Sequence, residues 1–236
     1  MRLVIGNFKM NLDSSEIDNY IDFFKGKELP NVIFAPSAIY LERFIKNGFK
    51  VASQDVGFKE KGAYTGDIGA SALKSIGVNY AIVGHSERRK YYDDNRYVNE
   101  KVGLLLENGL FPIICIGETK EEHDSNKTFD VLTKEINEAF KNIDTNSLNN
   151  VIIAYEPIFS IGTGVIPTNL EIEKTITFIK NYIKEHFNVS LKVLYGGSVN
   201  NNCISNLESI PNIDGYLVGG CSIKCEEFDK LIKNVG

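Results

Sequence analysis

Residues 151–157 are Val151-Ile152-Ile153-Ala154-Tyr155-Glu156-Pro157, an apolar run that ends in a carboxylate and a proline. The run is far too short to cross a bilayer, which takes about 20 apolar residues. An apolar run without polar alternation is typical of a strand buried on both faces, as in parallel sheets. We therefore interpret Val151–Tyr155 as a central parallel strand with Glu156 at its carboxyl end.

Runs of this kind recur along the chain and alternate with helix-like segments. The predicted strands are Leu3–Gly6, Val32–Ala35, Lys50–Ser53, Tyr80–Val83, Phe111–Cys115, Val151–Tyr155, Lys192–Tyr195 and Gly215–Val218. The clearest predicted helix carries apolar residues at a helical spacing, Ile172, Ile176, Ile179 and Ile183. Thr168 and Glu171 predict a capping box at its start, because each side chain can bind the other's backbone N–H. Strands alternating with helices predict an α/β fold.

Two α/β architectures compete, a closed (βα)8 barrel and an open doubly wound sheet. Eight strand–helix units fill the 236 residues without a Pro/Gly/Ser-rich linker, which predicts a single domain over 1–236. A nucleotide-binding open sheet is expected to carry G-x-G-x-x-G after its first strand, and Gly6-Asn7-Phe8-Lys9-Met10-Asn11 does not match it. We therefore predict the barrel.

Composition excludes several classes of protein. The chain is 43% hydrophobic and 24% charged with a net charge of −5, which is typical of a globular domain and gives no basic surface for nucleic acid. No run is long enough to span a membrane, and residues 1–7 turn polar too early for a signal peptide. Cys115, Cys203, Cys221 and Cys225 are scattered, which predicts reduced thiols in a cytoplasmic protein and no metal site.

The active site of such a barrel lies at the carboxyl ends of its strands, where several polar side chains are expected. Asn7 and Lys9 follow the first strand, His85 follows the fourth and Glu156 the sixth. Partial desolvation at the barrel rim suits Glu156 to act as a general base. Its alternative role is that of a solvated glutamate at the start of a loop.

His85 precedes Ser86-Glu87, which we interpret as the first turn of a helix. The free N–H groups of such a turn disfavour a positive ring, so His85 is expected to be neutral and able to polarise a carbonyl group. A purely structural histidine is the alternative. Lys9 supplies a fixed charge that can stabilise an enolate oxygen or attract an anionic substrate.

Two glycine turns follow the last two strands, Gly196-Gly197-Ser198 and Gly219-Gly220. Glycine allows the backbone to approach an anion, and these two turns form the usual phosphate site of this barrel. Residues 157–167 form a loop with apolar residues in its middle. This composition favours a lid that excludes water, with a buried structural loop as the alternative.

Together these residues resemble the triosephosphate isomerase family. The matching segments are Gly6-Asn7-Phe8-Lys9-Met10-Asn11, Val83-Gly84-His85-Ser86-Glu87-Arg88-Arg89, Cys115-Ile116-Gly117-Glu118-Thr119, Ala154-Tyr155-Glu156-Pro157, Ile161-Gly162-Thr163-Gly164, Tyr195-Gly196-Gly197-Ser198-Val199 and Leu217-Val218-Gly219-Gly220. They run from the first strand to the last, so the resemblance covers essentially the whole chain. It implies a TIM barrel that interconverts dihydroxyacetone phosphate and D-glyceraldehyde 3-phosphate, an aldose–ketose isomerisation in glycolysis and gluconeogenesis.

The resemblance also implies residue roles. Glu156 is expected to be the base, His85 the neutral electrophile, and Lys9 the stabiliser of charge on the substrate and enediolate. Asn7 is expected to orient the substrate, while Ser86 and Glu87 support the site and Glu87 pairs with a basic group. The phosphate is expected to rest on backbone N–H groups of Gly162, Ser198, Gly219 and Gly220. No metal or organic cofactor is expected, since the carbonyl group of the substrate accepts the electrons.

The family is usually homodimeric, and residues 54–67 resemble its interface loop. In the family this loop enters the neighbouring subunit, so Thr65 is expected beside the partner's copies of Asn7 and Lys9. The chain departs from the family pattern in a few places. Phe8 and Phe159 replace the common tryptophans, Asp55 replaces an asparagine, and the lid ends Val165-Ile166-Pro167 instead of in a small-residue hinge. None of these changes removes a reacting group.

Two alternative functions fit the sequence less well. Another phosphosugar isomerase on the same barrel would keep the phosphate turns but change the residues after strands one, four and six, and all three match here. A catalytically silent barrel that acts as a binding or surface-interaction protein would have no reason to keep Asn7, Lys9, His85 and Glu156 together.

Overall fold

A computed structural model describes residues 1–162 and 166–236, and within these ranges it contains eight parallel strands. They are β1 (Leu3–Asn7), β2 (Val32–Ala35), β3 (Ala52–Ser53), β4 (Tyr80–Val83), β5 (Phe111–Ile116), β6 (Ile152–Tyr155), β7 (Lys192–Tyr195) and β8 (Gly215–Val218). The order is β2-β1-β8-β7-β6-β5-β4-β3. A parallel bridge from Phe34 of β2 to Val51, the residue before β3, joins the two ends of this order and closes the barrel.

Ten α-helices lie within the described residues and alternate with the strands. They are α1 (Ser14–Phe24), α2 (Leu41–Lys46), α3 (Ala70–Ser75), α4 (Ser86–Tyr91), α5 (Asn95–Glu107), α6 (Lys120–Asp124), α7 (Thr128–Phe140), α8 (Asn169–Phe187), α9 (Ile204–Glu208) and α10 (Cys225–Asn234). Short 3-10 turns cover Ala38–Tyr40, Ser147–Asn150, Ile158–Ser160 and Gly220–Ile223. No helix in the described part of the chain is both long and apolar enough to cross a membrane.

Both faces of the strands are buried, as the apolar runs predict. The barrel interior is filled by small and branched side chains, namely Ile5, Ile33, Ala35, Ala52, Ile82, Ile113, Cys115, Ile152, Ala154, Leu194 and Leu217. The other face packs against the helices in a second, larger cluster. In that layer Phe24 of α1 contacts Phe228 of α10, with ring centroids 6.2 Å apart, so the first and last helices are neighbours.

The predicted barrel is confirmed, and each predicted strand corresponds to an observed one. The largest difference is at β3, which begins at Ala52 instead of Lys50. The capping box of α8 is also confirmed, since the backbone N–H of Thr168 donates to Glu171 Oε2 at 2.7 Å and the backbone N–H of Glu171 donates to Thr168 Oγ1 at 3.3 Å. The four predicted isoleucines of α8 are all buried.

Candidate active site

A cavity of about 270 Å³ opens at the carboxyl ends of the strands. Its lining includes the eight residues predicted to react or to bind substrate: Asn7, Lys9, His85, Glu156, Gly162, Ser198, Gly219 and Gly220. Side chains that follow β1, β4 and β6 therefore face the glycine turns that follow β7 and β8. The topology achieves this because parallel strands present all of their carboxyl ends at one mouth.

Glu156 is held at the end of β6 with its side chain almost completely buried. Its backbone N–H continues the sheet by donating to Ile116 O at 2.8 Å. Its Oε1 lies 3.3 Å from His85 Nε2, and the backbone N–H of Ser86 points at Oε2 from 3.4 Å. The Glu156 carboxylate is therefore shielded from water, and it contacts His85 and Ser86 in the segment after β4.

His85 forms the N-cap of α4, and its ring orientation is fixed by that helix. The backbone N–H of Glu87 donates to His85 Nδ1 at 3.2 Å. Because Nδ1 accepts this bond, a neutral ring would carry its proton on Nε2, the nitrogen that faces Glu156. A proton on Nδ1 would instead point at the backbone N–H of Glu87, and two donors facing each other would repel.

Lys9 adopts the left-handed backbone conformation, with φ of 52°. Such a conformation is unfavourable for a residue with a side chain and persists where surrounding contacts enforce it. Here the Lys9 N–H donates to Asn7 Oδ1 at 3.1 Å, and Gln54 Nε2 donates to Lys9 O at 2.8 Å. The Lys9 ammonium lies 2.6 Å from Glu87 Oε1, so the basic group beside Glu87 is Lys9.

The first glycine turn leaves no room for side chains at Gly196 and Gly197, whereas Gly220 of the second turn has no neighbour within 4 Å of a Cβ. A Cβ on Gly196 would lie 2.9 Å from Glu156 Cγ, and a Cβ on Gly197 would lie 2.3 Å from the Tyr195 hydroxyl oxygen. Ser198 is anchored to the start of the predicted lid, since its backbone N–H donates to Ser160 Oγ at 3.2 Å. The predicted lid and the first glycine turn are therefore connected directly.

Part of the predicted lid, residues 163–165, lies outside the described residues. The first part of the predicted lid forms the turn Ile158–Ser160, in which Ser160 is completely buried. The backbone N–H of Ile158 donates to Glu118 O at 3.0 Å, which joins this turn to the segment after β5.

Thr65 is not among the described residues that line the substrate cavity; it is exposed on the loop after β3. The base of that loop borders a second cavity of about 270 Å³ on the other side of Lys9. This second cavity is lined by Lys9, Met10, Ser37, Ala38, Ser53, Gln54, Asp55, Val56, Gly57, Gly66, Asp67, Ile68 and Arg88.

Sequence reasoning missed a buried cluster of charges behind α4. Lys101 Nζ lies 2.8 Å from carboxylate oxygens of both Asp55 and Asp93, and Arg88 Nη2 lies 2.7 Å from Asp55. Burial raises the pKa of Asp55, and Lys101 and Arg88 oppose that effect. A signal was present in the sequence, because Lys101 falls on the apolar face of α5 between Val98 and Leu105 and therefore requires a buried counter-ion.

Burial and the neighbouring Glu156 carboxylate raise the pKa of the Cys115 thiol well above its ordinary value. Across residues 1–162 and 166–236, no cluster of three or more His, Cys, Asp or Glu side chains could hold a metal ion. The ring of Phe8 is buried, and its centroid lies 4.7 Å from that of the Tyr20 ring.

Comparisons with known proteins agree with the geometry. The family model described as triosephosphate isomerase matches residues 2–235. The triosephosphate isomerase of Alkaliphilus oremlandii is 38% identical over 98% of each chain, and that of Malacoplasma penetrans is 39% identical over the same shares. The triosephosphate isomerase of Buchnera aphidicola subsp. Schizaphis graminum is 40% identical over 98% of this chain and 96% of its own. The chain therefore belongs to the triosephosphate isomerase family, and its activity is the interconversion of dihydroxyacetone phosphate and glyceraldehyde 3-phosphate in glycolysis and gluconeogenesis.

Proposed function

We propose that Glu156 is the base that moves the proton between the two carbons of the triose phosphate. The main support for this role is the buried contact between Glu156 Oε1 and His85 Nε2 at 3.3 Å, in the same cavity as the two glycine turns. The phosphate rests on backbone N–H groups of Gly162, Ser198, Gly219 and Gly220, and the Ser198 N–H exchanges its bond to Ser160 Oγ for one to the phosphate. This places the reacting carbons toward β4 and β6, where the acid–base groups lie.

The proposed reaction is a balanced proton shuttle. Glu156 takes a proton from the carbon beside the carbonyl group, and the C–H electron pair forms the C=C bond of the enediolate while the carbonyl π pair moves to oxygen. His85 gives its Nε2 proton to the oxygen of the former carbonyl group and then takes the proton of the neighbouring hydroxyl group, so that the negative charge moves to the second oxygen and the ring regains its proton. The Lys9 ammonium stabilises this charge on either oxygen. Glu156 then returns the proton to the other carbon. The carbonyl group of the substrate accepts the electrons, so the chemistry requires no metal or organic cofactor.

Support for the remaining roles comes from position. Asn7 holds the backbone of Lys9 and lines the cavity, and Ser86 and Glu87 contact Glu156 and Lys9, respectively. Residues 157–167 act as a lid over the enediolate, whose phosphate would otherwise be lost to elimination in water.

We also infer that the protein works as a homodimer in the cytoplasm. The cavity on the outer side of Lys9 offers a place for a loop, and Met10 beside it is 96% exposed. Tyr64 and Ile68 of the loop after β3 are exposed large hydrophobic residues. Insertion of this loop into the second cavity of another copy would cover these residues and bring Thr65 to Asn7 and Lys9. All four cysteines are free thiols, which suits a reducing compartment.

The first experiment measures turnover of glyceraldehyde 3-phosphate by the purified protein and by Glu156→Gln prepared identically. Fast turnover that is lost in the variant supports both the activity and the base, and it excludes a contaminating enzyme. No turnover by correctly folded wild-type protein would instead favour a catalytically silent barrel with a binding role.

The dimer is tested with Thr65→Arg, which places a charged side chain in the proposed interface. We expect sedimentation velocity to show a monomer and turnover to fall at least tenfold, since Lys9 loses its covering loop. Thr145→Arg, an exposed threonine before β6, is the matched control and should remain dimeric. A wild-type monomer with full activity would overturn this part of the proposal.

A further inference from the structure

A third cavity, of about 360 Å³, lies beneath the start of the lid and is separate from the substrate cavity. Its lining consists of Glu118, His123, Asn126, Thr128, Phe129, Tyr155, Pro167, Glu171, Lys174 and Thr175. It therefore combines a segment that follows β5, the end of β6 and the start of α8. Both ends of the lid lie close to it, because Tyr155 precedes the lid and Pro167 ends it.

Glu118 is a fully buried carboxylate in the wall of this cavity. Its Oε1 accepts hydrogen bonds from the Tyr155 hydroxyl at 3.0 Å and the Thr128 hydroxyl at 3.3 Å. Its Oε2 is buried and has no hydrogen-bond partner among the described residues. A buried carboxylate with an unsatisfied oxygen is costly unless a cation stands beside it.

Among the described residues, the basic group within ion-pair distance of Glu118 is His123, whose Nδ1 lies 3.5 Å from Oε1. Histidine changes its charge between about pH 5 and 8, unlike lysine or arginine. The counter-charge of this carboxylate is therefore not permanent: it depends on whether His123 carries a second proton.

The same two residues hold the first turn of the lid. The His123 ring lies against the Phe159 ring, with centroids 4.7 Å apart and planes tilted by 44°. The backbone oxygen of Glu118 accepts the Ile158 N–H at 3.0 Å. A positive imidazole over an aromatic ring attracts it more strongly than a neutral one. The charge of His123 therefore acts on Glu118 and Phe159 together.

We propose that His123 is a positioning residue for the lid: in its protonated form it pairs with Glu118 and fixes Phe159, and its deprotonation loosens the turn Ile158–Ser160. This inference rests on the proposed function of residues 157–167 as a lid. His123 does not touch the substrate and acts only through Phe159 and the turn.

Four of the six other charged groups around His123 have hydrogen-bond or ion-pair partners of their own. The six groups, on its own helix and on α8, are Lys120, Glu121, Glu122, Asp124, Glu171 and Lys174. Lys174 Nζ lies 5.3 Å from the Phe129 ring centroid, and Glu171 also interacts electrostatically with His123. Lys120 pairs with Asp124, Glu122 caps α6 through Thr119, and Glu171 caps α8 through Thr168. Tyr155 of β6 already donates to Glu118, and α7 contributes the uncharged Thr128 and Phe129 to the cavity.

The test compares wild type with His123→Arg, which fixes the positive charge, and His123→Gln, which removes it. The readout is the fraction of turnovers that end in release of inorganic phosphate between pH 5.5 and 8.5, with the enzyme-free rate subtracted. We expect this fraction to rise about two- to fivefold with pH in wild type, the effect of losing one cation–aromatic contact. It should stay low in His123→Arg and high in His123→Gln at every pH.

His186→Gln is the matched control, because His186 is an exposed histidine on α8 that packs on Tyr182. It should follow the wild-type profile, and circular dichroism should show that all variants remain folded. Any pH effect on the substrate phosphate or elsewhere in the active site is common to wild type and His123→Arg, so the ratio of the two profiles isolates His123. Parallel profiles for wild type, His123→Arg and His123→Gln would overturn this inference alone, whereas absence of wild-type turnover would overturn the proposed function.

Discussion

Gly196 and Glu156 are packed so closely that a Cβ on Gly196 would lie 2.9 Å from Glu156 Cγ. The glycine after β7 therefore sets the position of the carboxylate after β6. The φ of Gly196 is not in the left-handed region, so its requirement is for space and not for backbone freedom. The first glycine turn thus has a second task besides the proposed phosphate contact.

Substitution of Gly196 by Ala should lower kcat by about 100-fold while the protein still folds. The clash falls on a flexible side chain, which can move away, and a displacement of about 1 Å at the reacting group costs roughly 100-fold in rate. The measurement is steady-state turnover together with thermal unfolding. Gly103→Ala is the control, because a Cβ there meets nothing within 4 Å. Equal turnover in both variants would contradict this account of Glu156.

Glu156→Asp should also slow turnover by about 100-fold, because the shorter side chain withdraws the base by about one methylene group. We expect the change in kcat with little change in KM, since the phosphate contacts are untouched. A near-normal kcat for this variant would remove Glu156 from the role of base.

The site residues at the strand ends could be predicted from the sequence because their positions depend on a local pattern. An apolar run fixes a strand, and the next polar residue then lies at the mouth of the barrel, as with Asn7, His85 and Glu156. The capping box of α8 is equally local, since Thr168 and Glu171 are three residues apart.

Contacts between distant segments could not be predicted in this way. The pairing of Lys101 with Asp55 and Asp93 joins α5 to the loop after β3 and to the segment after α4. The sequence spacing of these residues does not reveal that they are close in space. The left-handed conformation of Lys9 depends likewise on Gln54, 45 residues away. Contact of His123 with Phe159 requires the turn Ile158–Ser160 to lie against α6, which only the folded chain defines.

Asp55→Asn should stabilise the protein at neutral pH. The pKa of Asp55 is raised in the folded state, so the folded protein binds this proton more tightly than the unfolded chain does. Stability is therefore lost as the pH rises from the ordinary Asp value, 3.8, through the raised pKa. An asparagine at position 55 still offers an oxygen acceptor to Lys101 and Arg88, but it has no charge to bury, so stability is not lost as the pH rises.

We expect Asp55→Asn to gain about 1 kcal/mol at pH 7.5, a typical size for one substitution, and much less at pH 4. Urea unfolding at a fixed protein concentration measures both values. A gain that is larger at pH 4 than at pH 7.5 would mean that the sign of the Asp55 effect is wrong.

Lys101→Met should destabilise the protein by about 3–5 kcal/mol, because it leaves Asp55 and Asp93 without their shared buried cation. Lys46→Met is the surface control: Lys46 pairs with Glu42 on the exposed face of α2, and loss of such a pair costs about 0.5 kcal/mol or less. Urea midpoints at pH 7.5 distinguish the two. Similar small losses would show that the charges behind α4 are well solvated.

Cys221 lines the substrate cavity, yet we expect it to resist alkylation in the native protein. Burial, with a contribution from Glu227, raises the pKa of its thiol to about 11. Since the thiolate is the reactive form, native Cys221 should react with iodoacetamide at pH 7.5 about 100-fold more slowly than a free cysteine of ordinary pKa. Peptide mass spectrometry over time gives the rate, and labelling in urea provides the unprotected reference. The rate should keep rising between pH 8 and 10, where a thiol of ordinary pKa would level off, and an early plateau would show that Cys221 is a reactive thiolate in the cavity.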